Sequence, residues 1–271
     1  MCPLQAIQTV YRSVGRLQQY TASSRIVTHQ SLQQLRQRSM QPRSSDIAAT
    51  ASSPRGQCTQ ANETDPNARE VLQFWLGDHY ADAKANSFPA DKMKLWFMGG
   101  PEVDREMTQR FGAVLQHAAA DGLPDWNRSY NGLAAVLLMD QFARNVYRGT
   151  PRMFALDGAA MTKANSLITT GDAAALPMIH RAWLVYPFMH SEKLQDQQMC
   201  VSLVKQMIAD CEELEGADQV KNYLHQSLSY AHAHLKVIQD WGRFPHRNQV
   251  LGRSHTPEEQ SGLADGSIPK F

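Results

Sequence analysis

From residue 67 onward, apolar side chains recur at three- and four-residue steps, and no stretch alternates apolar and polar residues between hairpin turns. That pattern excludes a sheet and restricts the chain to packed helices. Val71, Leu72, Phe74 and Trp75 mark a first helix stopped at Gly77, and Met93, Leu95, Trp96 and Phe97 a second, with Pro89 in its first turn and its end at Gly99-Gly100. Pro101 opens a third, striped by Val103, Met107, Phe111, Val114 and Leu115 up to Gly122. Leu133 to Met139 is hydrophobic all round, the composition of a central helix with neighbours on most sides. Asp157 is a good N-cap for a helix over 159–168 that Gly171 terminates. A short helix around 173–183 precedes the two longest, about 187–215 and 217–241. The expected fold is a compact, single all-α domain over 67–260, an array of antiparallel helix hairpins that stack in the manner of an α-solenoid. No 34-residue self-similarity marks a repeat. Residues 261–271 are expected to be a loose tail.

Charge divides the chain differently. The net charge of +1 hides seven arginines against one acid, Asp46, in residues 1–60, a net of +6 that leaves −5 on the remainder. The segment is also rich in Ser and Gln, and Leu4, Ile7, Tyr11, Val14 and Leu17 fall on one helical face with Arg12 and Arg16 off it. This is the composition of an organelle transit peptide, with the mitochondrion expected ahead of a plastid; a plain extension on a cytoplasmic protein is the alternative. No apolar run is long enough to cross a membrane. An acidic remainder whose aromatics do not alternate with basic residues argues against nucleic-acid binding. Cys200 and Cys211 share one expected helix roughly 16 Å apart along its axis, too far for a disulfide.

Three segments place charge where the surrounding pattern is apolar. Asp140-Gln141-Phe142-Ala143-Arg144-Asn145-Val146-Tyr147-Arg148 continues from the all-apolar helix, with Asp140 and Arg144 at i and i+4. A carboxylate there must be paired, either as a structural anchor for the 145–150 loop or to orient an arginine or histidine from elsewhere. Pro187-Phe188-Met189-His190-Ser191-Glu192 offers an imidazole and a carboxylate, readable as an acid–base pair or as a helix cap beside a satisfied histidine. Gly242-Arg243-Phe244-Pro245-His246-Arg247-Asn248, running on to Arg253, gathers three arginines and two histidines between Asp240 and Glu258. Such a loop is either pinned by buried acceptors or binding something anionic. Pro245 pushes Phe244 out of helical geometry, so that Phe244 drops into the core while its polar neighbours project elsewhere. His225, His232 and His234 are too far apart or point apart, and no metal or cofactor motif is present.

Together with Val71-Leu72-Gln73-Phe74-Trp75-Leu76-Gly77 and Met153-Phe154-Ala155-Leu156-Asp157, these segments resemble, in order, the motifs of a largely bacterial family called domain of unknown function 924. The resemblance covers about 67–260. It implies an α-α superhelix akin to tetratricopeptide-repeat proteins and no established activity. Carried over by position, the family's polar motifs fall on Asp140, Gln141, Arg144, Asn145, Arg148, His190, Ser191, Glu192, His234, Arg243, His246, Arg247, Asn248 and Arg253. The chain departs from the family at Ala143, where proline is common, and at Trp241, where phenylalanine is.

The leading expectation is a pocket for a small anionic molecule or peptide. Asp140, Arg144, Asn145, Arg148, His234, Arg243, Arg247, Asn248 and Arg253 would line it, with Asp140 and Glu192 holding the arginines. The alternatives are an enzyme with His190, Glu192 or His246 in acid–base roles, and a protein-interaction scaffold in which the same residues lock the helices.

Overall fold

The computed structural model describes residues 64–271 of the chain; the leader expected over 1–60 lies outside them. Every regular element among the described residues is helical. Helix α1 (Pro66–Leu76) starts under the Asp65 carboxylate, which accepts from the amides of Asn67 and Ala68. Helix α2 (Met93–Met98) is short, and Pro101 opens α3 (Pro101–Asp121), which Gly122 ends with a left-handed φ of 75°. Helix α4 (Ser129–Val136) runs into a π-helical turn (Leu137–Phe142) and continues as α5 (Ala143–Val146). Then follow α6 (Asp157–Thr170), α7 (Met178–Ala182), α8 (Tyr186–His190), α9 (Leu194–Cys211), α10 (Asp218–Trp241) and α11 (Pro257–Asp265).

The all-apolar segment sits where its composition demands. Leu133 to Met139 are fully buried, with α1 and α6 packed on α4, α3 and α6 on the π turn, and α3 on α5. Gly132 permits the close approach of α6, since a Cβ there would stand 2.8 Å from Leu167 Cδ2. An aromatic cluster ties the first half of the chain to the second: Trp75 meets Phe142 at 5.4 Å and Trp183 at 5.3 Å between ring centroids. Helices α9 and α10 form the most extensive hairpin, and α8 rests on α6, α9 and α10. No helix among the described residues is long and apolar enough to cross a membrane.

The helical framework differs from expectation at several points, and the break expected at Tyr186-Pro187 is absent, 178–190 being helical throughout. The helix expected over 187–215 is broken at 191–193, because the buried Gln197 amide donates to the carbonyls of Met189 (2.6 Å) and Ser191 (2.7 Å) and takes the acceptors a continuous helix would use. Asp157 is the first helical residue of α6 and does not cap it; its carboxylate is drawn to Arg144 instead. The tail after Gly262 is held at two points. Ile268 is buried against Gly262, whose carbonyl accepts from the Ile268 amide, and Phe271 stacks on His234.

Candidate functional site

The π turn at the end of α4 places the Asp140 carboxylate inside the molecule, 1% exposed. Three donors converge on it. His190 Nδ1 stands 2.8 and 3.0 Å from its two oxygens, Gln141 Nε2 donates to Oδ2 at 2.6 Å, and Arg144 Nη1 lies 3.2 Å from Oδ1. Burial pushes the Asp140 carboxyl up, but Arg144 and the ring of His190 outweigh it and hold it at about 2. Burial, and then Arg144, push the His190 imidazole below its ordinary value against the pull of Asp140. The pair at neutral pH is therefore a carboxylate and an uncharged imidazole. A proton on Nδ1 is the one that suits the Asp140 bond, which leaves Nε2 with a lone pair on a side chain 15% exposed.

Arg144 reaches a second carboxylate as well, donating from Nη1 and Nη2 to the two oxygens of Asp157 at 3.0 and 3.1 Å. Burial raises the Asp157 carboxyl in spite of Arg144. From the loop after α10, Arg247 enters this cluster, with Nη1 donating to the His190 carbonyl at 2.9 Å. Its guanidinium lies between two rings, 4.7 Å from Phe154 and 4.4 Å from Phe244. Its nearest carboxylate contact is Asp157 at 3.8 Å. Burial brings the Arg247 guanidinium down to about 10. Beside it, Glu192 receives a forked pair from Arg253 at 2.7 and 2.9 Å and the Phe244 amide at 2.8 Å. The break at 191–193 makes this division possible, turning Glu192 toward the loop while His190 faces Asp140.

A family described as bacterial protein of unknown function (DUF924) matches residues 71–267, a span that includes both halves of this network. The chain belongs to this family. A solved structure of a protein of unknown function, ATU0120 from Agrobacterium tumefaciens, is 31% identical to it with a TM-score of 0.58, over 73% of this chain and 97% of that one. No curated protein matches the chain.

Within this DUF924 domain the three polar segments thus meet through Asp140, Arg144, His190, Glu192, Arg247 and Arg253. His234 borders them from α10, its ring 6.3 Å from that of His190, and its Nδ1 is 2.8 Å from the Tyr230 carbonyl. Burial, then the neighbouring His190, drive the His234 imidazole well below its ordinary value, and burial with Arg247 brings His246 to about 4. The remaining sequence candidates are engaged elsewhere. Arg148 forks onto Asp104 of α3 at 2.6 and 3.0 Å and donates to Asn145, and both line an open groove of about 570 Å³ along α3. Arg243 and Asn248 both donate to Glu259, which also closes a capping box with Thr256 at the start of α11. Arg247 and Asn248 do not project from the loop as expected but are buried with Phe244, and His246 is half-buried beside them.

Sequence reasoning did not assign site roles to Asp157, Phe154 or Phe271. The first two lay in a recognised motif, Met153 to Asp157, and the need of Arg144 for a second acceptor was the available signal. Nothing in the local pattern pointed to Phe271. No group of three or more potential metal ligands is assembled among the described residues.

Proposed function

We propose that the domain binds a small anionic molecule at the face of the cluster formed by Arg247 and His190. The incomplete coordination of Arg247 carries this reading. Arg144 has two carboxylates and Arg253 one in forked geometry, whereas Arg247 meets a neutral carbonyl, two aromatic rings and a carboxylate already committed to Arg144. Of eight buried side-chain polar atoms without a partner among the described residues, four belong to this one loop: His246 Nδ1, Arg247 Nε, Asn248 Oδ1 and Arg253 Nε. A guanidinium N–H only donates, so the group that completes the two arginines is an oxygen acceptor, of carboxylate or phosphate class. His190 Nε2 stands ready to accept from a hydroxyl or protonated oxygen of the same ligand.

The buried Asp140–His190 pair favours a second reading, an enzyme. A carboxylate that fixes one tautomer of an imidazole, leaving Nε2 as an uncharged base at neutral pH, is the arrangement general-base catalysis requires. The two arginines would then stabilise developing negative charge. Binding is the common first step, and a protein-interaction scaffold is the outcome if it fails.

The test titrates phosphate and citrate against the wild type, Arg247→Lys and His190→Gln, following melting temperature and the His190 ring resonances. A bound anion raises the wild-type melting temperature by mass action. Lysine keeps the charge but loses the fork, so Arg247→Lys should lose the anion-dependent rise. Absence of any anion effect in the wild type, with Arg247→Lys lowering the melting temperature alone, would return these residues to a purely structural role. We also infer that residues 1–60 direct the protein to the mitochondrion, on their arginine-rich, acid-poor composition. A fluorescent fusion of the full chain that stays cytosolic, as a fusion lacking 1–60 would, refutes that.

A further inference from the structure

The ring of Phe271 lies parallel to the His234 imidazole, 3.6 Å between centroids and 20° between planes. Phe244 stands nearly perpendicular to it at 6.1 Å and 83°, and His246 at 5.9 Å and 75°. One stacked floor and two perpendicular walls form a slot for a single flat ring. Phe271 fills that slot while remaining 42% exposed, so the slot opens to solvent on its outer side. A Tyr230 carbonyl beside Nδ1 sets the His234 tautomer, and the ring is uncharged, which makes its face a stacking surface and leaves Nε2 as an acceptor. The neighbouring His246 Nδ1 is buried with no partner. Phe244 is shared between the slot and the guanidinium of Arg247, 4.4 Å from its centroid.

We propose that this slot is a binding subsite for the planar aromatic ring of a small molecule, and that Phe271 is its intramolecular occupant. The inference rests on the anion reading for one feature only. A ligand with its ring in the slot would present an attached carboxylate toward Arg247 across Phe244, so the class is an aryl-substituted carboxylic acid. Release of Phe271 precedes its entry, and the free affinity is reduced by the fraction of molecules in which Phe271 occupies the slot.

The experiment compares full-chain wild type with Phe271→Ala, using phenylacetate and its uncharged amide, phenylacetamide, as probes. Calorimetry and the His234 ring resonances report binding. Phe271 is 42% exposed and its contacts are confined to the slot, so the variant should lose only the worth of that one stack, a small drop in melting temperature, and stay folded. Phe271→Ala is expected to bind both probes several-fold to about tenfold more tightly than wild type, the worth of one aromatic stack. His234→Leu, which keeps bulk and removes the flat floor, should lose the gain. If phenylacetamide binds Phe271→Ala as well as phenylacetate does, the slot stands and the anion reading fails. If neither probe moves the His234 resonances in Phe271→Ala, the slot is overturned. Equal affinities in wild type and variant overturn the role of Phe271 as its occupant.

Discussion

Asp140→Asn removes one charge from the centre of the cluster and little volume. The carboxylate accepts from His190, Gln141 and Arg144. A carboxamide has one oxygen to share among those three donors and turns its own NH₂ toward one of them. Breaking one side of a buried charged network costs about 3–5 kcal/mol. Arg144 keeps its forked contact with Asp157, so the expectation lies at the lower end, about 3 kcal/mol at pH 7. Part of that cost is pH-dependent, and its sign is fixed. The folded-state pKa is depressed from 3.8 to about 2, so the stabilisation is fully present above about pH 4 and is lost as pH falls through the folded value. At 1.36 kcal/mol per unit the labile part is roughly 2 kcal/mol. Urea unfolding of wild type and variant from pH 7 to pH 2.5 measures it as a difference, in which the depressed carboxyls of Glu192 and Glu259, present in both proteins, cancel. The gap should narrow from about 3 to about 1.5 kcal/mol across that range, since pH 2.5 still lies above the folded value. A gap that stays constant with pH, or that is below 1 kcal/mol at pH 7, refutes the claim that Asp140 is an ionised and fully coordinated centre.

Gln197→Leu preserves volume but leaves the carbonyls of Met189 and Ser191 without their donor, and should cost about 2–4 kcal/mol by chemical denaturation. Gly132→Ala and Gly112→Ala make a pair: the first drives a Cβ to 2.8 Å from Leu167 and should lose about 1–3 kcal/mol, while the second meets nothing within 4 Å in α3 and should gain up to about 1 kcal/mol. Burial lowers His180 from 6.5 to about 4, so the folded state resists protonation that the unfolded chain accepts, and stability falls as pH drops from 6.5 to 4. The labile part is about 3 kcal/mol, and His180→Leu should flatten the unfolding free energy across that window. Ala143→Pro would forfeit the amide bond to the Leu138 carbonyl and should cost about 1 kcal/mol, well below the ~3 kcal/mol or more of a proline in a regular helix interior. A loss as large as in a regular helix would show that the π turn does not accommodate the ring.

Helical periodicity and buried apolar runs located α1, α3 and α4, because a helix that must hide one face or all of itself writes that need into residue spacing. Excess donors in 242–253 signalled the need for acceptors; of the two expected, Glu192 takes Arg253 and the Phe244 amide, while Arg243 and Asn248 go to Glu259, which was not foreseen, and none of the loop arginines pairs with Asp140. What stayed illegible depended on contacts distant in sequence. Gln197 breaks the helix at 191–193 from six residues away with an amide that looks like any surface glutamine. Asp157 has the type and position of an N-cap, and only the arrival of Arg144 from α5 decides otherwise. Phe271 gains meaning from His234, on a helix it follows by a loop and α11.

The π turn shows why lock and site need not be rival descriptions of the cluster. Ala143 bonds to Leu138, five residues back, so one extra residue is accommodated between the apolar stretch of α4 and the polar stretch of α5. That insertion lets Asp140 stay buried with Phe142 and Ala143 while Arg144 still reaches back to its carboxylate and its carbonyl. Gln141, in the same turn, gives its carbonyl to Asn145 and its amide to Asp140. The carbonyls of Asp140 and Gln141 in the irregular turn are thus each answered by a nearby side chain. A fixed Asp140 in turn fixes the ring of His190, and the His190 carbonyl then anchors Arg247. Rigidity propagates along this series and stops at Arg247 Nε and His246 Nδ1, which have no partner. The stabilising contacts lie at Asp140, Arg144 and Asp157, and the buried groups without a protein partner lie at the loop, so the two roles fall on different stretches of one network.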